Sequence, residues 1–444
     1  MHLRRSLYSI LLGAAALAPA SHSNAQLGAL DLRARLEDQH AIGADHWVYN
    51  DLETAKRIAR EQDKPIFVTF RCVPCEDCKG FDAEVANGSE QITALASKAF
   101  VPLRQVEMKG VDLSQFQFDY DLNWAAMFIN ADGTVYGRYG TQSAEGADAY
   151  NSVDSLLKTM ERVLELHAGY PENKATLEDK RGEDRPFSDP LKLPGMENVA
   201  TLKGKTERSN CIHCHMIHDA EHREWKANDE YSLEKVWRYP LPDNLGMRID
   251  PVDGRKVTAV AADSPAAHAG LREGDEILVL NGQAITSIAD MQWVFHNASN
   301  EGDSFEFDVR RGGEIEVAKV SVQAGWKRTD ISWRGSLWSM PPSMGIWTPT
   351  ANPEELGRQN APQSTQALVA RWINRSRPVA KAATEAGLRT GDLILGVPGF
   401  DVPVDDGPLP FHNALRMNFH SESVLPLEIL RNGRKEVIRI PLEQ

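Results

Sequence analysis

The sequence predicts a multidomain chain, α/β at its N-terminal end and α+β in its C-terminal half. Two observations carry this. The apolar run Pro65-Ile66-Phe67-Val68-Thr69-Phe70 reads as a buried strand, and it leads into the turn Cys72-Val73-Pro74-Cys75-Glu76-Asp77-Cys78-Lys79. From about residue 241 the chain then repeats itself, Ala269-Gly270-Leu271-Arg272-Glu273-Gly274-Asp275 being answered by Ala386-Gly387-Leu388-Arg389-Thr390-Gly391-Asp392. Between these regions lies a stretch poor in apolar residues that holds Cys211-Ile212-His213-Cys214-His215. The length suits roughly three to four domains, and all five cysteines fall in two tight clusters. None is left for scattered stabilising bridges, so the clusters are expected to do chemistry.

Residues 1–25 carry Arg4 and Arg5, an apolar run from Leu7 to Leu17, and Ser23-Asn24-Ala25 before Gln26. This is the layout of a cleavable export signal. The product is expected to be periplasmic or secreted. No later stretch reaches the ~18 apolar residues of a membrane span, so none is expected. The formal charge of −14 argues against nucleic acid or an anionic membrane as partner. Residues 26–45 are polar and lead into the first domain.

Residues 46–168 hold Trp47, an amphipathic helical pattern from Leu52 to Glu61, the strand and cysteine turn, and then Met127-Phe128-Ile129-Asn130-Ala131-Asp132-Gly133-Thr134-Val135-Tyr136. The last reads as strand, Asp-Gly turn and returning strand. Two cysteines at a strand-to-helix turn place their sulfurs where unpaired amides and the helix dipole stabilise a thiolate. Together these features resemble a thioredoxin-like domain. The resemblance implies that Cys75 attacks a disulfide and Cys78 resolves the intermediate, with Cys72 as a third sulfur. Two departures stand out. The position of the family's cis-proline falls at Trp124, and its Gly-Pro between the cysteines is Glu76-Asp77, whose carboxylates raise a neighbouring thiol pKa. That favours a reductant or a soft-metal ligand over a strong oxidant.

Residues 169–205, rich in charge and proline, read as a linker or loosely packed surface segment. In residues 206–240, Cys-x-x-Cys-His is the attachment pattern of c-type haem, with Cys211 and Cys214 as thioethers and His215 as axial ligand. Met196 and Met247 are candidates for the sixth position. Two other readings stay open: zinc held by Cys211, Cys214, His218 and His222, or a plain disulfide.

The repeated units, residues 241–326 and 327–444, each contain a short helix ending at Gly-Leu, a Gly-Asp turn before a buried strand, a later helix (Met291 to His296; Leu415 to His420) and a final hairpin. Both resemble PDZ domains of the bacterial exported type. The resemblance implies that each receives a protein C-terminus or extended peptide as an added strand, at the loops Leu245-Gly246-Met247 and Met344-Gly345-Ile346. Pocket walls would come from Ile249 and Trp293 in the first and from Leu415 and Phe419 in the second. His296 and His420 are expected as helix caps. No Gly-Asn-Ser-Gly nucleophile turn occurs in the chain, so proteolysis is not expected.

As a whole the order of parts resembles a bacterial exported thioredoxin-like/PDZ family, some of whose members carry selenocysteine. This implies a thiol-disulfide redox protein, with haem c for electron transfer and PDZ units recruiting a redox partner protein. The alternative is a non-catalytic adaptor that binds copper at Cys72, Cys75 and Cys78, or zinc or haem, and docks through its PDZ units.

Overall fold

The structure is a computed structural model that describes residues 31–37, 47–73, 79–331, 333–337, 344–373, 378–400, 402, 404, 408–419 and 423–442. Cys75, Cys78, His420 and the export signal lie outside them.

The N-terminal domain is built on a five-stranded mixed sheet: β1 (Val48–Tyr49), β2 (Ile66–Arg71), β3 (Val101–Gln105), β4 (Trp124–Ile129) and β5 (Val135–Tyr139), in the order β1-β3-β2-β4-β5. β1 and β2 run parallel to β3, while β4 is antiparallel to both β2 and β5. Every residue of β2, β3, β4 and β5 is buried, which is why β2 and β4 read as near-continuous apolar runs rather than alternating ones. One face stacks Phe67 on Phe128 at 5.1 Å, beside Trp47 and Phe100. The other buries Ile66, Val68, Phe70 and Met127. Helix α1 (Leu52–Gln62) starts at Asp51, whose carboxylate accepts from Thr54 N, and stops at Asp63 in a left-handed conformation. Helix α2 (Lys79–Ala83) follows the cysteine turn, α3 (Glu90–Ala99) precedes β3, and α4 (Val153–Ala168) is capped by a Ser152/Ser155 box.

Residues 169–205 are not a loose linker. Leu193, Met196 and Leu202 pack into the same core as Ile66 and Val68, and Lys180 is fully buried. Their apolar residues are too sparse to show a period, so the sequence hid a segment that is ordered by docking. Helix α5 (His215–Ala227) completes this core with Ile217 and Ala220.

The first C-terminal unit has a ribbon of β6 (Met247–Ile249) and β7 (Val257–Val260), the short helix α6 (Pro265–His268), β8 (Glu276–Leu280), β9 (Gln283–Ala284), helix α7 (Ile288–Asn297), and the long hairpin β10 (Gly302–Arg311) and β11 (Glu314–Gln323). The second repeats the plan with β12 (Ile346–Trp347), β13 (Leu368–Val369), β14 (Trp372–Ile373), α8 (Pro378–Glu385), β15 (Leu393–Gly396), α9 (Pro408–Asn418), and the hairpin β16 (Val424–Arg431) and β17 (Arg434–Pro441). The strand pair β12/β14 is the counterpart of the β6/β7 ribbon, with the second unit's long insertion between its two strands.

One internal device is present twice. Buried Asp275 takes the Arg272 amide at 2.9 Å and the Arg311 guanidinium at 2.7 Å, while Arg311 also donates to Gly270 O. Asp392 takes the Arg389 amide at 2.8 Å and Arg431 at 2.7 Å, and Arg431 donates to Gly387 O. The aspartate of each Gly-Asp turn thus ties the helix end to the hairpin tip by charge-assisted bonds.

Candidate functional site

Strand β2 delivers Cys72 to the C-terminal end of the sheet, and the Cys-x-x-Cys-His segment comes to the same place from the other direction. The Met108 amide donates to Ile212 O at 2.8 Å, and Cys72, Met108, Ile212 and Cys214 share one buried core. Cys214 and His213 lie beside the Cys72 thiol and, with Cys214 the larger influence, outweigh burial and hold it well below the ordinary cysteine range. The two cysteine clusters, 142 positions apart (214 less 72), therefore meet. No local signal announces this, since neither cluster encodes its partner.

Cys211 is built differently. It sits with Val73, Tyr49 and Val106 and donates to Glu207 O at 3.1 Å. Burial, reinforced by the charges of Glu107 and Cys72, pushes its thiol up to about 11. His215 projects outward, 46% exposed, and bonds Asp219 at 3.1 Å. Burial alone would lower its pKa, but the Asp219 carboxylate outweighs that and raises it.

These residues do not fit a covalently held haem as folded. Both sulfurs are sealed in apolar cores while His215 faces outward to Asp219, whereas haem c needs all three on one porphyrin. Met196 and Met247, the sixth-ligand candidates, are buried in two different cores. The zinc set also fails to converge. His218 packs on the Tyr120 ring and bonds Glu221 at 2.9 Å, and the group of possible metal ligands found among the described residues is Asp119, Asp121 and His218. A cation is already there. Arg334 donates to both Asp119 oxygens at 2.8 Å and to Asp121 at 3.2 Å, and Asp121 also takes Ser336 N and Oγ at 2.8 Å.

Trp124, at the expected proline position, starts β4. Its indole donates to Asp82 Oδ1 at 3.2 Å, and buried Asp82 also takes Arg71 at 3.1 Å and Arg104 at 2.5 Å. A buried carboxylate flanked by two guanidiniums is thus fixed at the first turn of α2.

The loops expected to receive a peptide both precede a strand. Gly246 is left-handed at φ 83° and a Cβ there would lie 2.1 Å from Ser264 Cβ, so glycine is required. Its amide is donated to Asp243 O at 2.9 Å. Leu245 and Met247 are buried in the first unit's core, and Met344 and Ile346 in the second's, with Gly345 at φ 62° between them. Trp293 is not a groove wall. It lies under the Arg138 guanidinium at 3.8 Å and donates to Asp179 O at 2.9 Å. Helix α7 turns this side to the sheet edge: Asp290 accepts from Arg138 N at 3.0 Å and pairs with buried Lys180 at 2.7 Å, and Thr141 donates to Gln292 at 2.8 Å. The sheet-edge Gly137 leaves room for this contact, because a Cβ would lie 2.3 Å from Thr286 Oγ1. Nor does His296 serve as a helix cap: it is half-buried and stacks on Tyr239 at 4.1 Å, where burial keeps it well below the ordinary histidine range.

The sheet order with a cysteine turn after its central strand defines a thioredoxin-like domain, and the first C-terminal unit defines a PDZ domain. Comparison agrees: residues 47–131 match the Thioredoxin-like family and residues 243–322 match the PDZ domain family. The chain is also similar to proteins named probable periplasmic serine endoprotease DegP-like. That of Halomonas elongata is 25% identical over 211 residues, 46% of this chain and 40% of the relative. That of Rhizobium meliloti is 30% identical over 181 residues, 36% of each chain. That of Pseudomonas savastanoi pv. phaseolicola is 34% identical over 100 residues, 22% of this chain and 20% of the relative. The chain spans less than half the length of each of these curated relatives. Among the described residues no helix is long and apolar enough to cross a membrane.

Proposed function

We propose that this chain is an exported thiol-disulfide redox protein in which Cys75 attacks and Cys78 resolves, and whose PDZ units hold a protein partner by its C-terminus or an extended segment. The observation that carries the reading is the concentration of sulfur at one end of a thioredoxin-like sheet. Cys72 directly follows β2, Cys75 and Cys78 come next in the sequence, and Cys214 is folded into the core of Cys72 from 142 positions away. The relatives' names support an exported location, and the PDZ match supports peptide binding. The second C-terminal unit is read as a further PDZ-like domain because it repeats the Asp–Arg device of the first. Haem takes no part in this reading, since Cys211, Cys214 and His215 do not face one ligand.

In the step itself the Cys75 thiolate breaks the substrate S–S bond and forms a mixed disulfide. Cys78 then displaces the second substrate sulfur, and two electrons pass to the substrate. The full chain should reduce a protein disulfide such as that of insulin in the presence of dithiothreitol. A Cys75→Ser/Cys78→Ser variant should fall to the rate of dithiothreitol alone; an unchanged rate would sink the assignment.

A second reading, a soft-metal adaptor, is favoured by His213 and Cys214 standing beside Cys72. Stoichiometric copper in protein purified under reducing conditions, lost on Cys72→Ser, would support it over the first.

A further inference from the structure

The proposed reaction uses Cys75 and Cys78 and leaves three cysteines without a task. Two of these are held together. Cys72 and Cys214 are buried in one core, and Cys214 and the His213 ring are the neighbours that act on the Cys72 sulfur. The contact is fixed from both sides. Cys72 continues directly from β2, and Cys214 immediately precedes α5, which is anchored by Ile217 and Ala220 and by the Met108–Ile212 backbone bond. Cys211 is turned away to Glu207 O. Of the sulfurs in the Cys-x-x-Cys-His segment, one therefore faces the thioredoxin-like domain's cysteine and the other does not.

We propose that Cys72 and Cys214 form a second redox couple, interconverting between dithiol and disulfide, which in its oxidised state staples the Cys-x-x-Cys-His segment to the central sheet. This couple rests on its own contacts and does not require activity at Cys75 and Cys78. The pair is buried and the neighbouring His213 is half-buried. The oxidant is a disulfide, RS–SR. Cys72 sulfur attacks one of its sulfurs, the RS–SR bond breaks, and RS⁻ leaves with the electron pair. Cys214 sulfur then attacks Cys72 Sγ, the mixed disulfide breaks, and the second RS⁻ leaves. The two cysteine protons end on the two RS⁻ groups, and two electrons have moved from the cysteines to the oxidant. Two sulfurs buried in one core then have to close to the S–S length of about 2.0 Å.

The test uses the full chain with Cys75→Ser, Cys78→Ser and Cys211→Ser, which leaves Cys72 and Cys214 as its sole thiols. After exposure to oxidised glutathione and trypsin digestion without reductant, the peptide 72–79 should be joined to the peptide 209–223. The link should be found in the monomer, vanish with dithiothreitol, and accompany a higher melting temperature. Separate glutathione adducts on the two peptides, or links only between two chains, would overturn the proposal. If the triple variant does not fold, the same linked peptides are sought in the oxidised wild-type chain, with fragmentation assigning Cys72 and Cys214; a link through Cys75, Cys78 or Cys211 alone would overturn it equally. A link that forms while disulfide reductase activity is absent from the wild-type chain would retain the couple and reject the proposed function. The opposite pattern would do the reverse.

Discussion

The two C-terminal units share a plan and differ in what their helices face. In both, a buried aspartate binds the arginine at the hairpin tip, and each strand after the glycine loop starts with a buried apolar residue, Met247 or Ile346. In the first unit, Ile249 and Ile288 are both buried in the core, and α7 spends its outer face on the thioredoxin-like domain through Asp290, Gln292 and Trp293. In the second, the corresponding places hold Thr348 and His412, joined by a 2.7 Å hydrogen bond in a buried site, and the position of Asp290 is Ala414. Trp347 and Trp372 pair across β12 and β14 and stay exposed at 43% and 59%. One unit has been recruited as an interdomain clamp, and the other keeps an aromatic surface toward solvent. A repeated domain can thus retain its internal ties while its surface contacts diverge.

The sharpest way to break this comparison is Asp290→Ala. Lys180 would lose its buried partner and Arg138 N its acceptor, which should cost about 3–5 kcal/mol and free the first unit from the sheet edge. Thermal unfolding together with limited proteolysis between residues 240 and 330 would show it. An unchanged melting curve would mean that α7 is held by its apolar contacts alone.

A smaller and symmetric effect is expected from Asp275→Asn and Asp392→Asn. Each removes one charged partner from a buried, charge-assisted set, worth about 1.5–3 kcal/mol. Denaturant titrations should show similar losses, each confined to its own unit. Loss in only one would show that the duplicated pair is no longer equivalent.

A further effect is a pH dependence that the second unit should draw from its Thr348–His412 pair, which the first unit, with Ile249 and Ile288 in those places, does not share. Burial, aided by the Arg416 charge, pushes the His412 pKa down to about 3 from its ordinary 6.5. The unfolded chain takes up the proton that the folded chain refuses. Stability is therefore full above pH 6.5 and falls as the pH drops from 6.5 toward 3. Thr348→Ile with His412→Ile copies the first unit's arrangement, and it should flatten this acid limb by up to one proton in the slope of stability against pH. His222 and His296 are also held well below the ordinary histidine range by burial and by Arg238. They should keep the rest of the molecule acid-sensitive in both proteins, so the comparison is made on the second unit's own transition.

Much of the fold was legible because its signals are local. The run before Cys72, the Asp132-Gly133 turn and the two Gly-Asp repeats each state their structure within ten residues or so. What was not legible depends on partners far along the chain. Trp293 reads as a groove wall because an indole buried against another domain has the same sequence signature as one lining a pocket. The segment around Leu193 and Met196 reads as a linker because it has no face of its own until it meets the sheet. His218 and His222 have the one-turn spacing of a zinc pair, yet they face Arg238 and Glu221 in a polar network. At the candidate site the cysteine turn announced itself, while the approach of Cys214 did not.

That approach has a consequence in time. A chain is made at roughly 5–20 residues per second, so Cys214 emerges roughly 7–30 seconds after Cys72. Throughout that interval Cys72 is without Cys214, the cysteine that later joins it in one core. Their contact is therefore one of the last the N-terminal domain can complete, and whatever meets Cys72 before then meets it without that neighbour.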